Sequence, residues 1–319
     1  MNKTARIFVA GHRGMVGSAL VRRLGADGYR NIVTRSRAEL DLTDQAAVNR
    51  FFEEEQIDVV LLAAARVGGI LANATKPGEF IYENLVIETN VIHAAYRAHV
   101  ERLVFFGSSC IYPKQCPQPI REEYLLTSAL EPTNDAYAIA KIAGLKLCDA
   151  YNREYNTQFV ALMPTNLYGP NDNYDLNSSH VLPALLRKAH EAKTSGAATL
   201  TVWGSGTPRR EFLHVDDLAA ATLFVLEHNV TEGLLNVGVG DDLSIRELAE
   251  CICRVVGFEG ELVFDASKPD GTPRKLLDVS RLARMDWRAT IGLEEGIAAT
   301  YRDFVASHAG STPAAALHA

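Results

Sequence analysis

Short apolar runs alternate with longer segments of helical periodicity along the first half of the chain. The predicted strands are residues 5–10, 31–35, 58–64, 102–106 and 159–164. The predicted helices lie at 15–26, through 47–51, at 80–98 and at 135–155. Strands that are apolar throughout and alternate with helices indicate a parallel sheet covered on both faces. The pattern therefore predicts an α/β fold with a doubly wound parallel sheet.

The pattern changes after residue 168. A polar loop at residues 171–179 is followed by short strands among helices, which predict a second, smaller α/β lobe. We expect residues 1–168 to form the first domain and 169–308 mainly the second lobe, with some later segments returning to the first domain. Small and polar residues at 309–319 predict a disordered tail.

Three glycines lie between the first predicted strand and the first predicted helix, in GHRGMVG. Gly11 permits a tight turn, Gly14 lets the backbone approach a pyrophosphate, and Gly17 allows close packing of the helix against the sheet. The helix N-terminus then offers unpaired N–H groups to the phosphates. Because the glycines follow a strand and open a helix, they predict the dinucleotide site of a Rossmann fold; the alternative is a purely structural turn.

The end of the second predicted strand indicates which dinucleotide binds. An NAD site usually has an acidic residue there, but this strand ends in TRSR, with Arg35 and Arg37. Arg13 in the glycine loop can approach the same position. These cations suit a 2′-phosphate, so we predict NADP(H) rather than NAD; solvated surface arginines are the alternative.

Two further patterns suggest reactive side chains. In YAIAK, Tyr137 and Lys141 share one helix face, and the lysine charge is expected to lower the pKa of the tyrosine. In GSSCIYP, Ser108 and Cys110 follow an apolar strand, at the sheet edge where ligands bind. Each pattern alone is weak, since Cys110 could simply be a small hydrophobic residue. Their occurrence behind a glycine-rich loop predicts a catalytic site.

Composition excludes several classes of protein. The chain has 319 residues, 47% of them hydrophobic, and a net charge of −7, so nucleic acid is not an expected partner. Residues 59–65 form the longest apolar run, too short to span a membrane, and the first residues lead directly into a strand without a signal pattern. The five cysteines form no C-x-x-C pair, which predicts reduced thiols in a cytoplasmic protein and no metal site.

The chain resembles the extended short-chain dehydrogenase/reductase family, which remodels nucleotide sugars. The resemblance covers roughly residues 6–304. It rests on GHRGMVGSA, LAAARVGGI, GSSCIYPK, EPTNDAYAIAKIAG, MPTNLYGP, VWGSGTPRREFLHVDD and DASKPDGTPRKLLD. Within this family the chain is most similar to enzymes that epimerise GDP-4-keto-6-deoxy-D-mannose at C3 and C5 and reduce C4 with NADPH.

The resemblance implies a role for each reactive side chain. Cys110 would be the base and His180 the acid of the epimerisations, since unperturbed pKa values of about 8.5 and 6.5 bracket neutral pH. Tyr137 would donate a proton to O4 during reduction. Lys141 would orient the cofactor ribose and tune Tyr137, and Ser108 would hydrogen-bond O4 and hold enolate charge.

The resemblance also implies the binding residues. The cofactor contacts would be Gly11, His12, Arg13, Gly14, Met15, Val16, Gly17, Arg37, Asp41, Leu42, Ala63, Ala64, Ala65, Lys141, Pro164, Thr165, Asn166, Leu167 and His180. The substrate contacts would be Lys188, Trp203, Arg210 and Asp270. Lys188 stands where the family usually has arginine, and for Trp203 a buried core position is the alternative. The family also implies a homodimer through two long helices per subunit.

Three other functions stay open. A nucleotide-sugar 4-epimerase would share Ser108, Tyr137 and Lys141 but has no use for Cys110 and His180. A 4,6-dehydratase would carry carboxylates where this chain has SSC. A non-catalytic NADP sensor would be expected to lose part of the serine, tyrosine and lysine set, and all three are present.

Overall fold

The computed structural model describes residues 1–231, 233–268 and 270–308. The strands are β1 Ile7–Ala10, β2 Ile32–Val33, β3 Val59–Leu62, β4 Arg102–Phe106, β5 Phe159–Pro164, β6 Asn166–Tyr168, β7 Thr199–Trp203, β8 Arg209–Arg210, β9 Phe212–His214, β10 Leu234–Val237, β11 Leu243–Ser244, β12 Glu261–Asp265 and β13 Arg274–Lys275. The helices are α1 Met15–Ala26, α2 Gln45–Glu55, α3 Ile70–Thr75, α4 Pro77–Arg97, α5 Asp135–Tyr155, α6 Val181–Ser195, α7 Val215–Glu227, α8 Ile245–Val256, α9 Ser280–Arg284 and α10 Leu293–His308.

The largest sheet has six strands in the order β10-β5-β4-β3-β1-β2. Every pairing within it is parallel. Successive residues of a strand point to opposite faces, and both faces are covered here. Phe8 and Ala10 of β1 belong to one hydrophobic cluster, while Ile7 and Val9 belong to the other. This arrangement confirms the predicted doubly wound parallel sheet and explains why its strands are apolar throughout.

A third hydrophobic cluster lies away from the large sheet. It is built by residues of α6, α8 and α10 with the short strands β7 and β9. The strand pairs here are β6 with β9, β7 with β12, and β8 with both β11 and β13. β10 joins the large sheet and α7 packs against α1, so two segments after residue 168 contact the first part of the chain. The exact domain division stays a prediction, and the predicted tail at 309–319 lies outside the described residues.

Several elements differ from the sequence prediction. α4 begins at Pro77 instead of residue 80, because proline is accepted in the first helical turn, where its missing N–H costs nothing. The short helix α3 precedes it and was not predicted. β2 is shorter than predicted, since only Ile32 and Val33 pair with β1. Among the described residues, no helix is both long and apolar enough to cross a membrane.

Candidate active site

The carboxyl ends of β1, β3, β4 and β5 meet at one edge of the large sheet, where the glycine loop lies. Gly11 has φ +82°, and a Cβ there would lie 2.8 Å from Cα of Ala64. A Cβ on Gly17 would lie 2.2 Å from the carbonyl oxygen of Gly11. The atoms nearest to Gly17 thus belong to the backbone of the loop itself. The sequence had instead suggested packing against the sheet. Gly14 leaves open space around a Cβ, with only the Gly11 oxygen at 3.5 Å, so its need for glycine depends on a ligand.

The glycine loop and the start of α1 fit an anionic ligand. The first turn of α1 carries no acidic residue, and Met15 and Val16 pack partly into the core beneath it. Nδ1 of His12 is buried and has no hydrogen-bond partner among the described residues. An unpartnered polar atom beside free N–H groups of a helix N-terminus is suited to a phosphate oxygen.

The three arginines predicted near the 2′-phosphate have different environments. Arg35 is committed to an ion pair with Glu55 and lies over the Phe51 ring. Arg37 is 71% exposed, and its ion pair with Asp41, at 3.5 Å, is longer than the pair that holds Arg35. Arg13 is exposed in the glycine loop. Arg13 and Arg37 therefore remain available to a ligand, whereas Arg35 is held by the protein.

Hydrogen bonds order the segment after β2. The amide and hydroxyl of Thr43 both donate to Asp41, and they lower the pKa of its carboxyl, with a further contribution from Arg37. The carbonyl of Leu42 accepts a hydrogen bond from the side chain of Asn90 on α4. The Arg37–Leu42 segment is thus fixed to the sheet domain at the position predicted to surround the adenosine.

The other predicted cofactor residues follow β3 and β5. Ala63, Ala64 and Ala65 continue directly from β3, and Ala64 contacts the glycine loop. Pro164 ends β5, and the next two side chains, Thr165 and Asn166, both donate to the carbonyl of Glu211, at 3.2 and 2.8 Å. Leu167 pairs with Leu213 in the β6–β9 ladder. These bonds fix the chain where it leaves the large sheet.

The GSSCIYP segment turns sharply after β4. A Cβ on Gly107 would lie 2.1 Å from Cε of Met163, so the methionine side chain of β5 occupies the space beside this glycine. Ser108 caps a 3₁₀ turn at Ser109–Ile111, and its Oγ accepts a hydrogen bond from the Cys110 amide at 3.4 Å. Cys110 is 6% exposed. The turn therefore brings the hydroxyl and the thiol to the same strand end.

Tyr137 and Lys141 share a face of α5, but they are not directly paired. Lys141 Nζ lies 2.8 Å from Oε1 of Glu88 on α4 and 5.9 Å from the centre of the Tyr137 ring. Burial raises the pKa of Tyr137, and the nearby Cys110 and Glu88 raise it further. The expected lowering of this pKa by Lys141 is thus wrong for the protein alone, where burial of the phenol dominates and Lys141 is paired with Glu88. Glu88, an acidic residue on the buried face of α4, was not identified from the sequence.

Cys110 and His180 have pKa values displaced in opposite directions. Burial raises the pKa of Cys110, although the charge of Lys275 opposes the change. His180 precedes the first residue of α6, and its side chain is accessible. Desolvation by the surrounding protein lowers the pKa of His180, and the charge of Lys275 lowers it further. The two values therefore still bracket neutral pH, over a wider interval than the unperturbed groups would, and the resting protein holds a thiol and a neutral imidazole. Lys275 was missed in the sequence, although it lies in the family-like stretch DGTPRKLLD.

The predicted substrate residues Trp203 and Lys188 lie together at the end of β7. Trp203 is 52% exposed, which rules out the alternative of a buried core position. Lys188 Nζ lies 4.9 Å from the Trp203 ring centre and Lys268 Nζ lies 5.4 Å from it. Partial burial lowers the pKa of Lys188. The exposed indole between two cations offers a surface for an aromatic base and for phosphate charge. Lys268 was not identified from the sequence.

The predicted substrate residues Arg210 and Asp270 are engaged differently. Nη1 of Arg210 donates to the carbonyl of Arg209, and burial lowers the pKa of the Arg210 guanidinium, while nearby Asp270 raises it. Asp270 accepts hydrogen bonds from the amide and hydroxyl of Ser205, at 2.7 and 2.8 Å. Asp270 thus holds the loop after Trp203, and its direct contact with a substrate stays a prediction.

The described residues contain no group of three or more histidine, cysteine, aspartate or glutamate side chains arranged to hold a metal ion. All five cysteines are free. Cys148 is fully buried between α5 and the sheet, in the same hydrophobic cluster as Phe105. Of the cysteines, Cys110 is the one that lies beside the predicted catalytic serine.

The chain is similar over nearly its whole length to known proteins of nucleotide-sugar metabolism. The GDP-L-fucose synthase of Escherichia coli strain K12 is 58% identical over 309 residues, covering 94% of this chain and 96% of that protein. A GDP-L-fucose synthetase from Naegleria fowleri bound to NADP superposes with a TM-score of 0.89 at 27% identity, covering 98% of this chain and 97% of the other. The GDP-mannoheptose C4 reductase from Campylobacter jejuni with NADP bound is 39% identical, with a TM-score of 0.88 and coverage of 95% and 99%.

A family model confirms the resemblance found in the sequence. The model of the NAD dependent epimerase/dehydratase family matches residues 7–238, from the first strand of the large sheet to the residue after its last strand. The matched region includes the glycine loop, the turn after β4, the tyrosine and lysine of α5 and the start of α6. The chain belongs to the NAD dependent epimerase/dehydratase family.

Proposed function

We propose that this chain is a GDP-L-fucose synthase, which epimerises GDP-4-keto-6-deoxy-D-mannose at C3 and C5 and reduces C4 with NADPH. The observation that supports this function most is the set of side chains at the β4 end. Ser108, Tyr137 and Lys141 suffice for 4-keto reduction, while Cys110 and His180 supply two further proton-transfer groups that a simple reductase does not need. The 58% identical synthase from E. coli supports the same substrate.

The residues present fit NADP(H). The unpartnered Nδ1 of His12 and the N-terminus of α1 would hold the pyrophosphate, and Arg13 and Arg37 would bind the 2′-phosphate. Pro164, Thr165, Asn166 and Leu167 would lie beside the nicotinamide, with Ala63–Ala65 on the ribose side. Bound NADPH supplies the hydride that reaches C4 of the sugar.

The epimerisations depend on the acidity that the C4 ketone gives to the hydrogens on C3 and C5. Cys110 would remove a proton from one face and His180 would supply one to the other face, inverting each carbon in turn. The enolate charge that develops on O4 would be held by hydrogen bonds from Ser108 and Tyr137. In the active form, Cys110 would be a thiolate and His180 an imidazolium. This form differs from the resting thiol and neutral imidazole only in which of the two groups carries the shared proton.

Reduction would follow with Tyr137 as the acid. Its raised pKa keeps the phenol protonated at neutral pH, so it can donate to O4 when the C4 hydrogen is delivered. Outside the catalytic cluster, Trp203, Lys188, Arg210 and Asp270 would contact the GDP portion. Lysine at 188 keeps the positive charge but makes a single-point contact where arginine would make a two-pronged one.

Subunit association and location complete the proposal. Large apolar side chains on α4 and α5 are exposed: Tyr82 at 66%, Ile139 at 46% and Tyr155 at 43%. Because these helices pack side by side, pairing with a second copy would bury the exposed side chains in a homodimer of four helices. Five free cysteines are consistent with a reducing cytoplasm. Light scattering coupled to size-exclusion chromatography tests the dimer, and cell fractionation tests the location.

The assay that tests the function is incubation of the protein with GDP-4-keto-6-deoxy-D-mannose and NADPH, with the product identified by NMR. We expect GDP-L-fucose, with inverted C3 and C5 and an axial C4 hydroxyl. A product reduced at C4 but uninverted at C3 and C5 would assign the chain to the C4 reductases, like its C. jejuni neighbour. No NADPH oxidation with this sugar would contradict the proposed substrate.

A further inference from the structure

Glu88 lies in the middle of α4 and is 1% exposed, facing α5. Its Oε1 lies 2.8 Å from Nζ of Lys141, whose side chain is 2% exposed. Apart from this ion pair, neither carboxylate oxygen has a hydrogen-bond partner among the described residues. A carboxylate this deeply buried is rare unless a specific partner requires it. Here Lys141 is that partner.

The surrounding structure leaves space for this pair. A Cβ on Gly144, one turn after Lys141, would lie 2.7 Å from Oε2 of Glu88 and 2.6 Å from Cζ of Phe105. Lys141 Nζ also lies 4.7 Å from the centre of the Phe105 ring. The ammonium thus contacts a carboxylate and an aromatic ring at the interface of α4, α5 and β4. Glycine at position 144 permits the close approach of α5 to both groups.

The pair changes the electrostatics of Tyr137. An unopposed buried ammonium beside a phenol favours the phenolate and lowers the phenol pKa. A carboxylate bound to that ammonium cancels most of its effect. The charged and titratable groups around Tyr137 are Lys141 on its own helix, Glu88 on α4 and Cys110 after β4, and the Phe80 ring packs edge-on against it. Burial, Cys110 and Glu88 all raise the pKa of Tyr137.

We propose that Glu88 is a positioning residue that holds Lys141 and offsets its charge, so that Tyr137 stays a protonated phenol poised to donate to O4. This inference rests on the proposed function, in which C4 is only ever reduced. Reduction forms the C4–H bond from the hydride of NADPH and the O4–H bond from Tyr137, oxidising the nicotinamide; the phenolate left behind regains its proton from water. A 4-epimerase must first oxidise its sugar and therefore needs a phenolate that accepts a proton. Glu88 thus biases the tyrosine towards the reductive direction.

The test is a titration of Tyr137 in the protein and in Glu88→Gln, which removes the charge and keeps the shape. Subtracting the alkaline absorbance of the matching Tyr137→Phe protein isolates this phenol from the other tyrosines. We expect Tyr137 to ionise above pH 10 in the unmodified protein and its pKa to fall by about one unit or more in Glu88→Gln. The alkaline limb of the kcat profile for reduction moves to lower pH in the same variant. An unchanged Tyr137 titration in Glu88→Gln overturns the proposal.

Two further variants make the test specific. Glu122→Gln is the matched control, because Glu122 is also buried and lies 3.3 Å from Arg281, and it is not among the groups that raise the pKa of Tyr137. It is expected to leave the Tyr137 titration unchanged, and an equal shift there would overturn a specific role for Glu88. Glu88→Asp keeps the negative charge but moves it away from Lys141. We expect kcat to fall while Tyr137 still ionises near its unmodified pKa. A shift in the Tyr137 pKa as large as that in Glu88→Gln would contradict the proposal.

The proposal remains testable if Glu88→Gln does not fold. In that case a Tyr137 pKa below 10 in the unmodified protein, or a fully shifted pKa in Glu88→Asp, overturns it. The titration needs no sugar substrate, so its result is independent of the product assay. Failure to make GDP-L-fucose with a normal Glu88 effect on Tyr137 would refute the proposed substrate alone.

Discussion

The glycine loop and the catalytic cluster lie at the same edge of the sheet, yet they are determined by different properties of the chain. In the glycine loop the backbone itself defines the site, since a Cβ on Gly17 would lie 2.2 Å from the Gly11 oxygen. In the catalytic cluster, charges on neighbouring side chains define it, as in the 2.8 Å pair of Lys141 and Glu88. The first site depends on shape and the second on protonation.

This difference predicts how each region responds to substitution. Backbone atoms around Gly17 cannot move aside cheaply, so a larger residue there disturbs stability and cofactor binding together. Tyr137 and Cys110 can instead be replaced by side chains of nearly the same shape, which alters the chemistry and leaves the fold intact.

Tyr137→Phe is expected to reduce the rate of C4 reduction by about 10² to 10⁴, because it removes the acid that serves O4. The thermal unfolding temperature and the NADPH affinity should stay close to those of the unmodified protein. NADPH oxidation measured at 340 nm and differential scanning calorimetry provide the two readouts. Reduction at a near-normal rate would show that another group protonates O4 and that the cluster is not organised as described.

Gly17→Ala is expected to destabilise the protein by about 1–3 kcal/mol through overpacking against the Gly11 carbonyl. NADPH affinity should fall by about tenfold or more, which corresponds to about 1.4 kcal/mol or more of lost binding. Gly25→Ala is the matched control on the same helix, since no atom lies within 4 Å of a Cβ there. It should be neutral or stabilise by up to about 1 kcal/mol. Equal effects of the two alanines would remove the steric account of the loop.

Arg37→Ala is expected to weaken NADPH binding by about 10- to 100-fold, the loss of one charged hydrogen bond of about 1.5–3 kcal/mol. NADH binding should hardly change, because it lacks the 2′-phosphate. Arg23→Ala serves as the control: Arg23 also pairs with an aspartate four residues later, at 2.8 Å, but lies on α1 away from the loop. Fluorescence titration with both cofactors gives the affinities. Equal losses for NADPH and NADH would contradict a 2′-phosphate contact by Arg37.

The same contrast explains what the sequence could and could not predict. The glycine spacing directly specifies a backbone conformation, so the loop and the parallel sheet around it followed from local pattern. The protonation states of the catalytic residues depend on groups distant in sequence. Glu88 on α4 pairs with Lys141 on α5, and Lys275 approaches Cys110 from a strand near the end of the chain. No local spacing encodes either approach, which is why the lowered pKa expected for Tyr137 was wrong and the shifts of Cys110 and His180 were not predicted.

Arg35 and Trp203 illustrate two further limits. The end of the second strand offered both Arg35 and Arg37 near the 2′-phosphate, and the resemblance favoured Arg37. Only the structure showed that Glu55 on α2 holds Arg35. For Trp203 the sequence left burial and substrate stacking both open. Its place at the exposed end of a two-stranded sheet decided between them. The sequence could not show this place, because strand pairing in the small lobe cannot be deduced from short runs.

Deuterium uptake at C3 and C5 of the keto sugar reports proton transfer by Cys110 and His180 without any contribution from reduction. The active thiolate and imidazolium form has a constant population between the pKa of His180, below 6.5, and that of Cys110, above 9. Below the pKa of His180 both groups are protonated, so the thiolate is lost. Above the pKa of Cys110 both groups are deprotonated, so the imidazolium is lost. We therefore expect the rate of uptake in the unmodified protein to be nearly flat between these values and to fall on both sides.

The most direct test of the account is this uptake in Cys110→Ser, measured by NMR in D₂O without NADPH. A serine hydroxyl is nearly the same shape but too weak an acid to provide a base near neutral pH. The account predicts that uptake at C3 and C5 falls by about 10² to 10⁴ while NADPH affinity and thermal stability stay unchanged. Uptake at the unmodified rate would contradict it and would make Cys110 a packing residue at the end of β4.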